Sequence, residues 1–152
     1  MSTTFATSTP TSTPTSTPSI TVSPVRTTRA RALWAAGVVS GAVAAVATTF
    51  VAAAARSADV PLAVDGEEIP LLGFAQLTMM CAVIGTLLAV SFAKWARHPQ
   101  RTFVVTTVAL TTLSLVPDVI ADATSGSKLV LMFTHLVAAA IVVPTLAKRL
   151  RA

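Results

Sequence analysis

Residues 71–93, LLGFAQLTMMCAVIGTLLAVSFA, contain no charged side chain and run directly into Lys94-Trp95-Ala96-Arg97-His98-Pro99-Gln100-Arg101. An apolar run of this length crosses a hydrocarbon core of about 30 Å as a helix, and the basic cluster that ends it resists translocation. Pro70 stands just before the run, where proline suits a first helical turn. Three further apolar runs, 33–55, 102–120 and 129–147, give four spans in all. The links around 97–101 and 123–127 are short, and short links make consecutive helices antiparallel neighbours. The sequence therefore predicts an all-α fold, an antiparallel four-helix transmembrane bundle.

Charge sorts between the connecting segments by sign. Nine of the eleven Lys and Arg lie at the first, third and last polar segments: Arg26, Arg29, Arg31; Lys94, Arg97, Arg101; Lys148, Arg149, Arg151. All six carboxylates lie at the other two: Asp59, Asp65, Glu67 and Glu68, then Asp118 and Asp122. The excess of Lys and Arg predicts a multi-pass protein of the cytoplasmic membrane with both termini and the middle link in the cytoplasm. Trp34 and Trp95 fall at that inner boundary, where an indole is favoured. Arg56 and Lys128 are the two cations left outside, an imbalance that argues against the dual insertion of small four-span exporters.

The mean hydropathy of +0.75 and the 11% of charged residues make lipid, not water, the solvent of this chain. Its pI near 10.8 does not imply nucleic acid, because the basic residues sit in threes at span ends and form no groove-sized surface. Their counter-charge is the anionic headgroup layer, at on the order of 1 kcal/mol per Lys or Arg. The lipid bilayer is thus the first partner, and another membrane protein or a second copy of the chain the next candidates.

Residues 1–31 hold a threefold repeat, Thr7-Ser8-Thr9-Pro10, Thr11-Ser12-Thr13-Pro14, Thr15-Ser16-Thr17-Pro18. Proline at every fourth position blocks regular structure, and few apolar side chains offset the ordering entropy. A disordered cytoplasmic tail is expected there, with the transmembrane domain over 32–152. The first span exceeds the roughly 7–15 residues of a signal-peptide core and reads as an anchored helix. Cys81 is the single cysteine and forms no intrachain disulfide.

Within the first span, Gly37 and Gly41 form a GxxxG spacing continued by Ala45, and the second offers Cys81, Gly85 and Ala89 at the same interval. Small stripes let backbones approach closely in lipid, so these two faces are expected to pack together; a homodimer through GxxxG is the alternative. On the third span Thr107, Thr111, Ser114 and Asp118 fall within an arc of about 60°. Ser and Thr can bond a carbonyl one turn back, and Pro117 predicts a kink or the start of the exit turn. Asp65-Gly66-Glu67-Glu68 reads as a solvated turn.

Asp118 and His135 are the candidate residues for chemistry. At about 1.5 Å per residue they lie roughly 5 and 10 Å below the outer ends of their helices, and Gln76 is at a comparable depth. Ionisable groups inside a span are expensive and find partners, so a polar cluster of Gln76, Asp118 and His135 is expected. It serves as a structural clasp, a proton-responsive or ligand-binding pocket, a metal site or a catalytic site, in falling order. No HExxH or GxSxG spacing supports the last two, and His98, in the cytoplasmic hinge, is too far from His135 for bis-histidine haem. No cofactor or metal is therefore assigned.

Leu113-Ser114-Leu115-Val116-Pro117-Asp118 followed by Met132-Phe133-Thr134-His135-Leu136-Val137-Ala138-Ala139-Ala140-Ile141-Val142-Val143-Pro144 and a basic end resembles a family of small four-helix membrane proteins of unknown function found mainly in actinobacteria. The resemblance covers about residues 32–150 and implies architecture and a bacterial membrane location, not a reaction. The expected function is non-enzymatic: a membrane subunit or a small sensor with an outer-leaflet polar cluster. The rival is a small proton-coupled transporter or channel component using Asp118 and His135, which needs a hydrated route past Thr107 and Thr111.

Overall fold

The computed structural model describes residues 25–151, with side chains from 28. Most of the expected disordered tail, 1–24, lies outside the described residues, while 25–31 are helical. Among the described residues the order is α1 (Val25–Ser57), β1 (Ala63–Val64), β2 (Glu67–Glu68), α2 (Leu71–Trp95), α3 (Pro99–Ile120) and α4 (Ser125–Arg151). All four helices are long and apolar enough to cross a membrane. Their most apolar windows have mean hydropathies of 1.8 to 2.2, yet only 11–33% of each window is buried inside the protein. Val46, Phe50, Leu72, Ile120 and Leu129 are among the exposed side chains, a surface that only lipid covers without cost.

Each helix except α2 begins before its apolar run, because Arg, Ala and Lys continue a helix well beyond the hydrocarbon. The hydropathy pattern marks the buried length, not the helix. Pro99 opens α3 at its first turn, so the middle link shrinks to Ala96–His98. At the other end Thr124 caps α4, its hydroxyl accepting from the Ser127 amide at 3.2 Å. Pro117 ends nothing: α3 continues to Ile120, and Ala121 N–H donates back to the Pro117 carbonyl at 2.9 Å. Pro144 likewise lies inside α4.

Helix α1 packs against both α2 and α4, and α3 packs chiefly on α4. The α1–α2 contact rests on Gly37 and Gly41. A Cβ on Gly37 would come within 2.0 Å of Thr86 Oγ1, and one on Gly41 within 2.8 Å of the Ala82 Cβ. The face that α2 presents is therefore Met79, Ala82, Thr86 and Ala89, which corrects the expected stripe of Cys81, Gly85 and Ala89 for all but its last member. The two stripes are neighbours on the helix, about 100° apart, and residue size alone does not choose between them. Thr86 is suited to the inner face because its hydroxyl donates to the Ala82 carbonyl at 2.7 Å, leaving its methyl to pack. Thr48 and Thr78 join the same two helices through a hydroxyl pair at 2.9 Å.

Two apolar layers close the bundle at either end. Leu33, Phe103, Leu146 and Leu150 form the one near the basic segments. Ala52, Leu62 and Phe74, with Val130 and Leu131 against them, form the other. Leu62 comes from the α1–α2 connection, which folds over the bundle as a hairpin. Ala63 pairs with Glu68 and Val64 with Glu67, and Asp65 and Gly66 turn between them at φ of 52° and 82°. Positive φ at both central residues is the hairpin turn that Asp-Gly favours. The turn is solvated as expected, residues 65–68 all being exposed, and the pairing on either side of it makes the connection a structured cap. Asp65 N–H donates to the Asp122 carbonyl at 2.9 Å, and the Ser127 hydroxyl donates to the Pro61 carbonyl.

Gly37→Ala and Gly41→Ala should each destabilise the protein by about 1–3 kcal/mol through overpacking. Gly85→Ala, whose Cβ would meet nothing nearer than Val142 at 4.0 Å, should be neutral or stabilising by up to about 1 kcal/mol. Thermal melts in one detergent compare the three.

Candidate functional site: the Asp118–His135 couple

Asp118 stands one turn below the point where the hairpin bonds the Asp122 carbonyl, and His135 stands opposite it on α4. Asp118 Oδ2 and His135 Nδ1 are 3.1 Å apart. The same Nδ1 lies 2.9 Å from the Leu131 carbonyl, one turn back on α4. Two oxygens therefore converge on one ring nitrogen, and only the contact to Leu131 has hydrogen-bond geometry. Asp118 is 9% exposed, and its Oδ2 is buried without a hydrogen-bond partner among the described residues. The Leu131 carbonyl only accepts, so Nδ1 carries a proton and presents its positive edge to Asp118 Oδ2 as well. When the ring is protonated the couple is an ion pair, and pairing is the condition under which charged groups sit at low dielectric.

Gln76 is not part of this cluster. It is exposed on α2 and has no hydrogen-bond partner among the described residues, which corrects the expectation of a three-member group. Depth alone suggested it; its position around the helix turns it outward. Lys128 and Asp122 are also engaged elsewhere, Lys128 Nζ donating to the Val119 carbonyl at 2.8 Å and Asp122 offering its backbone oxygen to the hairpin. No group of three metal-ligating side chains comes together among the described residues.

Beside the couple a cavity of about 340 Å³ is walled by α2, α3 and α4. On α4 its lining extends from Leu131 to Val143, about 18 Å at 1.5 Å per residue. Thr107, Thr111 and Ser114 of the α3 stripe face it, together with Thr134 and His135 of α4. Most of these hydroxyls are already committed to backbone: Thr107 to the Phe103 carbonyl at 2.8 Å, Ser114 to Thr111 at 2.7 Å and Thr134 to Leu131 at 2.8 Å. Gly85 faces this cavity and not α1. Phe103, fully buried, is its floor on the basic side, and Phe74 and Leu131 lie where it meets the hairpin layer. Its open side lies between α2 and α3, where Leu77, Ile84 and Leu110 line it and are exposed.

Sequence reasoning missed the Leu131 carbonyl and the hairpin cap. The first carries no side-chain signal, although a histidine four residues after any helical residue can reach that residue's carbonyl. The second had one, since Asp65-Gly66 is a strong short-range hairpin signal.

A family model described as a family of unknown function, DUF6069, matches residues 28–152. No curated protein and no solved structure matches the chain.

The couple makes asymmetric predictions. His135→Leu leaves a buried carboxyl with no partner and should cost about 3–5 kcal/mol, whereas Asp118→Leu leaves His135 its Leu131 contact and should cost less. The double variant should be destabilised by less than the sum of the two, with a coupling of about 0.5–3 kcal/mol. Additive melts would mean that the two groups do not interact.

Proposed function

The chain belongs to this DUF6069 family, and from that premise we propose a non-enzymatic role, as a membrane subunit or small sensor whose working group is the Asp118–His135 couple. Its setting is a bacterial cytoplasmic membrane, as for the small four-helix proteins it resembles, with both termini inside and the hairpin outside. The charge distribution supports that orientation: the hairpin carries Asp65, Glu67 and Glu68, and the opposite end Arg97, Arg101, Lys148, Arg149 and Arg151.

One observation carries the choice of sensor over transporter. The cavity ends on Phe103, and beneath it Leu33, Leu146 and Leu150 fill the bundle. A conduit needs polar, wettable groups through both halves of the membrane, whereas here the couple has a packed apolar layer between it and the basic face. The hydroxyls of Thr107 and Ser114 point their protons at their own helix, so they do not form a relay. A couple closed off from the basic face suits a group that senses or binds and not a conduit.

Accessibility decides the matter. In a Cys81→Ser background, Thr107→Cys and Thr111→Cys should resist charged thiol reagents added from either side, and reactivity at both from both sides would overturn the sensor reading in favour of transport. In intact cells Glu68→Cys should label from outside and His98→Cys only after permeabilisation; the reverse pattern would overturn the orientation.

A further inference from the structure

A cavity closed by apolar layers toward both membrane faces and open sideways is reached from the lipid. We propose that it binds a neutral, lipid-soluble alcohol, with the hydroxyl at His135 Nε2 and the apolar body between α2, α3 and α4. The proposal deepens the one-sided site described above and rests on it.

The chemistry of the wall selects the ligand. Among the described residues no Lys, Arg, Asp or Glu lines the cavity, so a charged headgroup would sit there unpaired at a cost of several kcal/mol. The Thr107, Ser114 and Thr134 hydroxyls have already given their protons to carbonyls, and the remaining lining is mostly aliphatic or aromatic, including Leu88, Phe103 and Val142. The body of the ligand is therefore apolar.

Two polar groups of the lining lack a hydrogen-bond partner among the described residues, the Thr111 hydroxyl and one ring nitrogen of His135, and only His135 is backed by a buried carboxyl. Its Nδ1 is occupied by Leu131 and Asp118, while its Nε2 has no partner among the described residues. Asp118 behind it supplies a second unusual feature, a buried oxygen lacking a hydrogen bond. A hydroxyl both donates and accepts, so it pairs with Nε2 whether that nitrogen presents a lone pair or an N–H, and it brings no charge of its own. A ketone or an ether satisfies only one of those states.

Size and entry agree. About 340 Å³ falls within the range of single small-molecule pockets, and a chain too long for it extends into the bilayer between Leu77 and Leu110. Gly85 contributes by omission, since any larger side chain at this position would project into the space next to Val142.

The test uses the full chain in phosphatidylglycerol-containing nanodiscs and a hexadecanol analogue with a mid-chain diazirine, its attachment sites mapped by mass spectrometry after irradiation. The expected labelling is saturable, concentrated on the lining of α2, α3 and α4, and displaced by hexadecanol about tenfold more effectively than by hexadecanoate or hexadecane. Gly85→Leu and Ala139→Leu, which fill the cavity from opposite walls, should each cut it about tenfold with melting behaviour retained. His135→Leu should abolish the preference for alcohol over alkane. Non-saturable labelling spread equally over lipid-facing residues such as Val46 and Phe50 of α1 would overturn the proposal, as would equal displacement by the three competitors. The competition on the unaltered protein is decisive even where a variant fails to fold. Thiol accessibility at Thr107 and Thr111 is read separately, so a dry but unoccupied cavity removes the ligand and leaves the one-sided site standing.

Discussion

Lipid gives two helices no hydrophobic reason to associate, so this bundle depends on how closely α1 and α2 approach at Gly37 and Gly41. With hydrogen in place of a side chain at those positions, the Thr86 side chain, hydroxyl foremost, and the Ala82 Cβ settle directly on the α1 backbone, and dispersion at close approach replaces the missing hydrophobic force. The Thr48–Thr78 hydroxyl pair closes the same seam. Because α1 also packs along α4, it acts as the spine on which the other two packed helices are hung.

The cavity is the counterpart of that arrangement. Helix α2 spends Ala82, Thr86 and Ala89 on α1, and what it turns toward α3 is Gly85 with the longer Leu77, Ile84 and Leu88 around it. Helix α3 answers with Thr107, Thr111 and Ser114, side chains too short to fill the gap. Its hold on the bundle comes instead from α4 and from the hairpin, whose Asp65 amide bonds the Asp122 carbonyl beyond the end of α3. A loop that ties down the hairpin end of α3 also fixes the position of Asp118 one turn away from it.

Much of this could be read from the sequence, and the limits follow physical lines. Four apolar runs, three of them uncharged and the third carrying Asp118 near its end, and three basic clusters dictate four antiparallel helices, because both hydropathy and the charge at span ends are one-dimensional signals. The α3 stripe was legible for the same reason, its spacing being that of one helical face. Facing is a different matter. Gln76 and Cys81 are at plausible depths, but rotation about α2 puts both on its exposed side, and a uniformly apolar helix has too weak an amphipathic pattern to reveal that rotation. The Ala82, Thr86 and Ala89 face competes with the Cys81, Gly85 and Ala89 face on equal terms by size. What separates them is that a threonine at 86 can bond its own helix and pack by its methyl, a fact of three-dimensional fit. The hairpin was hidden because Glu67 and Glu68 make its second strand look like solvated loop.

The depth of Asp118 constrains what the couple can do. A carboxylate in mid-membrane costs about 2.5–3.5 kcal/mol or more, and that cost falls toward the headgroups, so a chain that needed only a clasp could have joined α3 to α4 with a pair of threonines. Threonines are already present at 107, 111 and 134, and each except Thr111 donates to its own helix, tying nothing across the interface. At the two ends Lys128 reaches the Val119 carbonyl and Arg151 reaches Gln100; between those ends α3 and α4 are joined by the ionisable pair, placed where the imidazole still borders the cavity and the carboxyl does not. Such a division, with Asp118 withdrawn behind His135, holds one ring nitrogen in place and leaves the other free. It is the arrangement expected of a group whose task lies on the open side of the ring.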